Sequence, residues 1–211
     1  MKLAVWVVAI AVVATVVAGA ATDLLGHYQR SKADHLLRDL YQIKADSTTY
    51  QTARDLAVRY GGYSVGVCTK DNCRLDIVLS NSVYSRLRLA RPKEFRVTLF
   101  VKDDRVKRIS FGLLCSPLHV DQYPLGVGVS VTDESCYPCY EGQKPFLAKQ
   151  NGVDANHPMQ IIVEVTGNSN LDQRRAAYAL DLGCLSELGD CPAPDKVAPV
   201  IWQEIAKQTG Y

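Results

Sequence analysis

The chain predicts an α+β protein: an N-terminal transmembrane or signal helix, two amphipathic helices, an antiparallel sheet of five or six strands, and C-terminal helices. Three observations carry this. Leu3 to Ala21 is free of charge. Apolar residues then recur at helical spacing as far as Tyr60 and at a period of two from Tyr63 to Thr166. After Ser169 the spacing turns helical again.

The run LAVWVVAIAVVATVVAGAA follows Lys2, and as a helix it is about 28 Å long, near the thickness of a bilayer's hydrocarbon core. Positive charge at its start favours an inside N-terminus and an outside body. Residues 1–22 are thus expected to be a membrane anchor or signal segment, with contact to the membrane through residues 3–21. Ala18-Gly19-Ala20 has the small-x-small form of a signal-peptidase site, so a secreted or periplasmic product cut near Ala20 competes with a single-pass anchor. The anchor is favoured because the helical pattern continues through Leu24, Leu25 and Tyr28 without a proline.

Residues 23–46 read as a juxtamembrane amphipathic helix and 47–211 as a single extracytoplasmic domain. Thr48 with Gln51 has the capping-box form for a helix that Gly61-Gly62 stops. Ser64–Cys68 and Cys73–Leu79 read as a hairpin. Arg96–Lys102 and Arg105–Leu114 read as a second, turning at Asp103-Asp104. Gly126–Val131 and Met159–Thr166 are further strands, and 133–158 is the least regular stretch. Ser169 with Asp172 opens a helix with Leu171, Tyr178, Leu182 and Leu185 on one face, and a short helix carries Val200, Ile201, Trp202 and Ile205.

Of 211 residues, 47% are apolar and 22% charged, which suits a globular core, and the formal charge of +2 lacks the basic excess of a nucleic-acid protein. No nucleic-acid partner, cofactor or metal is expected. His119, His157, Ser116, Ser135 and the Asp133-Glu134 pair form no recognisable catalytic arrangement.

The seven cysteines carry most of the chemical information. On the oxidising side of a membrane, close pairs read as disulfides, Cys68 with Cys73 and Cys184 with Cys191. Cys136 and Cys139 are the third candidate set. They form an internal pair, or one of them bonds Cys115 and a thiol is left over. Zinc held by Cys68, Cys73, Cys136 and Cys139 would compete poorly with oxidation there. Cys136-Tyr137-Pro138-Cys139 resembles the redox centre of thioredoxin-like proteins, which implies a thiol–disulfide activity, although Gly142 and Pro145 make a poor helix start after it.

Arg86, Arg88, Arg91, Lys93 and Arg96, opposed by Glu94, are the densest charge feature. They read as a solvated face, with a surface for anionic lipid or cell-wall polymer as the competing reading.

Leu37-x-x-Leu40, Ser47-Thr48-Thr49-Tyr50, Ala53, Leu56-Ala57 and Tyr60-Gly61-Gly62, followed by Cys68 and Asn72-Cys73, resemble an uncharacterised family of bacterial envelope proteins with an N-terminal membrane anchor. The resemblance extends through the second hairpin, about half the chain, and implies location and fold without an activity. More faintly, the capped helix feeding an antiparallel sheet looks like envelope modules of the outer-membrane-assembly lipoprotein type, without their lipidated cysteine.

The expected function is that of a non-catalytic cell-envelope protein, an interaction or assembly module anchored to the membrane, with an envelope protein as partner. A thiol–disulfide protein using Cys136 and Cys139 is the alternative. A binder of anionic lipid or cell-wall polymer through the Arg86–Arg96 segment is the third.

Overall fold

The structure is a computed structural model that describes residues 2–81, 92–115, 125–132, 146–151, 160–167, 169–187 and 192–209. Helix α1 runs unbroken from Lys2 to Gln42, so the expected anchor and juxtamembrane helix are one element, continuous through residues 22 and 23. Its described apolar side chains in the first half, Trp6, Ile10, Val12, Val13, Val16 and Val17, are 57–69% exposed. In the second half Ala33, Leu36, Leu37 and Leu40 recur at three- and four-residue steps and are buried. Side chains at 3–5, 7–9 and 11 lie outside the description, and among the described residues no helix is long and apolar enough to cross a membrane.

Helix α2 (Tyr50–Tyr60) is capped at Thr49, whose hydroxyl accepts from the Thr52 amide at 3.3 Å, one residue later than the expected Thr48 box. Gln51 instead bonds Asp55. Gly61 ends the helix with φ 75°, a conformation open to glycine at little cost. Tyr60 and Arg59 both reach Asp39, at 2.9 and 3.2 Å, and tie α2 to α1.

Strands β1 (Tyr63–Val65), β2 (Asn72–Ser80), β3 (Lys93–Lys102), β4 (Arg105–Cys115), β5 (Leu125–Thr132), β6 (Phe146–Asn151) and β7 (Gln160–Val165) form one seven-stranded sheet in the order β1-β2-β3-β4-β5-β7-β6. The α+β class is as expected. The antiparallel sheet of five or six strands is corrected to a mixed sheet, because β5 and β7 pair in parallel. The extra strand β6 falls in the stretch that lacked periodicity. It pairs antiparallel with one edge of β7, whose other edge runs parallel to β5. Asp103 and Asp104 both take positive φ, 54° and 61°, as a two-residue turn between β3 and β4 requires.

One face of the sheet is the core. Ile77, Phe95, Val97, Leu99, Ile109, Val127, Ile161, Val163 and Val165 are completely buried there, under the second half of α1, under α2 and under the C-terminal elements. Each such side chain contributes about 1.5–3 kcal/mol by leaving water. Those C-terminal elements are α3 (Leu171–Ala177), a 3-10 turn (Gly183–Ser186), α4 (Pro194–Val197) and α5 (Pro199–Thr209). Asn170 and Gln173 form the capping box of α3, one residue after the expected Ser169 and Asp172. The helix stops at Ala177, so Leu182 and Leu185 are buried from the 3-10 turn rather than from a long helical face. Tyr178 stacks against Phe111 at 4.7 Å and meets Tyr41 edge-on at 5.3 Å, joining β4, α1 and the end of α3.

Candidate functional site

In a strand, successive side chains point to opposite faces, so half of this sheet's residues turn away from the helices. No described element covers that second face. The strand register lines its residues up in rows across the sheet. Val65, Arg74, Phe100, Arg108 and Thr132 form a first row, one step in from the Asn72–Lys102–Arg105 pairing that flanks the Asp103-Asp104 turn. Tyr63, Asp76, Thr98, Ser110, Ser130 and Glu164 form the next. Val78, Arg96, Gly112, Gly128 and Ile162 follow.

The third row makes a trough. Gly112 and Gly128 lie opposite each other and leave a floor of backbone, walled by Leu114, Ile162 and the Thr98, Ser110 and Ser130 side chains, with Arg96 at the rim. Its volume is about 270 Å³. The two glycines differ in origin. A Cβ on Gly112 would meet Val127 O at 2.3 Å, so the strand crossing itself demands glycine. A Cβ on Gly128 would meet nothing within 4 Å. Glycine in a strand interior forgoes roughly 0.5–1 kcal/mol and commonly marks a place where another group approaches the backbone.

The first row floors a second pocket of about 430 Å³ at the turn end of the sheet. Phe100 lies beneath two guanidiniums, Arg74 at 5.8 Å and Arg108 at 6.0 Å from the ring centroid. Arg74 is held by a bidentate pair of 2.9 Å bonds to Asp76, a carboxylate 4% exposed. Those bonds stabilise the guanidinium's charge and hold its pKa above the usual range. A bulge between Phe100 and Val101 pairs Arg108 with Phe100 and Val106 with Val101, leaving Lys107 as the extra residue at the pocket. Lys107 pairs with Asp46. Lys102 and Arg108 have no carboxylate within ion-pair distance among the described residues, and Asp103 is the one acid in the lining.

Few of the sequence-predicted residues sit on this face. Arg96 does, 3.1 Å from Glu94. Lys93 does not, which corrects its place in a basic surface. It is completely buried on the core face, and its Nζ donates to the carbonyls of Cys184 at 2.8 Å and Glu187 at 2.9 Å. Its position in β3 has the parity of Phe95 and Val97, so the alternation that builds the core turns it inward. Arg86, Arg88 and Arg91 lie outside the described residues, as do Cys136, Cys139, Cys191, His119 and His157.

Cys68 and Cys73 are bonded as expected, with Cα atoms 4.4 Å apart, and this bond uses two of the four thiols a zinc site would have needed. Cys115, at the end of β4, is also disulfide-bonded, to a partner outside the described residues. Cys184 carries a thiol rather than half of the expected disulfide to Cys191. It is buried in the 3-10 turn, and burial pushes its pKa up to about 11, outweighing the nearby Lys93 charge. Such a thiol is a poor nucleophile at neutral pH. Among the described residues no group of three His, Cys, Asp or Glu side chains is arranged to hold a metal ion.

The glycines of the trough stand in the sequence as isolated Gly112 and Gly128 within strand patterns, a signal of close approach to the backbone. The Arg74–Phe100–Arg108 row required the register. No family model, curated protein or solved structure matches the chain, so the resemblance of its N-terminal half rests on the motif alone.

Proposed function

We propose that the protein is a non-catalytic interaction module of the cell envelope, held at a membrane by the first half of α1, and that the sheet face which no described element covers docks a partner protein. The anchoring is supported by the uncharged run Leu3–Ala21 and by the exposed apolar side chains that α1 carries there. A body on the oxidising side agrees with the Cys68–Cys73 disulfide.

The observation that carries the docking reading is Gly128. Among the described residues no atom lies within 4 Å of where its Cβ would stand, and glycine there keeps the trough open. The surroundings have the composition of an interface, with Tyr63, Phe100, Ile162 and three arginines, Arg74, Arg96 and Arg108, on one face. The partner chemistry that fits is a narrow apolar ridge for the trough, flanked by a carboxylate for Arg96.

A photo-crosslinking residue at Ser130, in the trough wall, tests this in intact cells, with the same residue at Gln51 on α2 as control. The expected result is a discrete adduct from position 130 alone that disappears in Gly128→Val and in Arg96→Glu. An adduct that survives both substitutions, or none at all, would overturn the reading.

A further inference from the structure

We propose that the pocket around Phe100 binds an oxyanion, a phosphate or carboxylate group carried by a soluble or polymeric ligand rather than by the headgroups of the anchoring bilayer. The binding stands on the pocket itself and is independent of the docking trough. The choice of source rests on the membrane reading of α1.

The pocket is built for a negative group in three ways. Arg74 is already oriented by Asp76, a buried carboxylate in the next row of the same face. Burying an acid costs desolvation, and here the return is a guanidinium fixed in one pose, with N–H groups beyond the two that bond Asp76. Arg108 stands over the same ring from the neighbouring strand, with no carboxylate partner among the described residues, and Lys102 is likewise uncompensated at the rim. The bulge at Lys107 gathers a further cation at the same wall. Asp103 is also in the lining, so the pocket's selectivity lies in where its cations point and less in bulk charge. A forked guanidinium beside an aromatic floor favours planar, two-oxygen groups over spherical anions.

Helix α1 acts as a ruler for the source. The pocket lies at the end of the sheet where the chain leaves α1, since Asp46 bonds both the Val106 carbonyl and Lys107. From Ala21 to the end of α1 at Gln42 the helix rises about 30 Å. That is several Debye lengths, roughly 8 Å each at physiological salt, so headgroups at the base of the helix neither reach the pocket nor feel its charge.

Full-length protein in neutral-lipid nanodiscs, titrated calorimetrically with inorganic pyrophosphate and with poly-L-glutamate, tests the proposal. Saturable binding of either is expected, and which of the two binds identifies the group as phosphate or carboxylate. The double variant Lys102→Gln, Arg108→Gln, at exposed positions, weakens binding at least about tenfold, while Lys196→Gln on α4 leaves it unchanged. No saturation by either probe up to about 10 mM, or binding undiminished in the double variant, overturns the site. Loss of probe binding when anionic lipid replaces neutral lipid in the same disc overturns the assignment of source.

Discussion

Gly112 in β4 and Gly128 in β5 stand directly opposite each other, yet a side chain at the first would collide with Val127 O at 2.3 Å and one at the second would touch nothing within 4 Å. The two positions therefore separate folding from binding. Gly112→Ala forces backbone apart in the sheet centre and is expected to cost about 1–3 kcal/mol. Gly128→Val adds a β-branched residue to a strand with room for it and is expected to hold or raise stability by up to about 1 kcal/mol, while blocking partner capture. Thermal unfolding of both variants checks this, and a destabilised Gly128→Val would show that the trough is needed by the fold.

Lys93 is the second test of how the core is closed. Its ammonium bonds the carbonyls of Cys184 and Glu187, at the end of the 3-10 turn, from a fully buried position in β3. Removing it strands those carbonyls away from water. Lys93→Ala, which also opens a cavity, is expected to destabilise by about 3 kcal/mol or more, and Lys93→Met, which refills the stem's volume, by less. Urea midpoints at unchanged m-value provide the measurement. A harmless Lys93→Ala would mean that the turn is held by its apolar residues alone.

How much of this was legible before the structure depends on what kind of signal each feature gives. Helix α2, the Asp103-Asp104 turn and the Cys68–Cys73 bond are local: capping, left-handed turn residues and cysteines on two arms of one hairpin lie within a few residues of each other. The inward turn of Lys93 was hidden because a lysine in an arginine-rich run reads as surface until the parity of Phe95 and Val97 is applied to it. The parallel β5–β7 pairing and strand β6 depend on contacts between distant segments. Phe146 to Asn151 has no alternation of its own to betray a strand. The site was least legible of all, because Arg74, Phe100 and Arg108 come from three strands and meet only through register.

The Cys68–Cys73 disulfide closes a loop of five residues' separation beside the turn-end pocket, and Cys68 Sγ lies 3.6 Å from the Arg74 carbonyl. On the chain-entropy view a loop this short is worth about 2 kcal/mol. Cys68→Ala with Cys73→Ala is expected to lose about that much, and a reducing agent should lower the melting temperature of the native chain by more than that of the double variant, which keeps the disulfide at Cys115. The β1–β2 connection also sets the backbone of Arg74, so the same variant should bind oxyanion more weakly with its cations intact. Unchanged affinity would show that Asp76 alone orients the guanidinium.

Cys184 gives a pH dependence with a definite sign. Burial is the largest influence on its thiol and lifts the folded-state pKa from 9.0 to about 11. Between those values the folded state keeps its proton while the unfolded chain releases it, so unfolding is favoured as pH rises. The contribution is fully present below about pH 9 and is lost as pH climbs through 11, on the order of 2 kcal/mol in all. Tyr60, raised to about 12 by burial and by its bond to Asp39, titrates in the same direction at higher pH. Comparison with Cys184→Ala isolates the thiol, since the wild-type curve should fall more steeply than the variant's between pH 9 and 11 and run parallel to it below. Iodoacetamide at pH 8 should likewise leave Cys184 unmodified in the folded chain and alkylate it in urea. Rapid labelling of the folded protein would mean that the 3-10 turn opens readily, and would remove the ground for treating Lys93 and its two carbonyls as a rigid closure of the core.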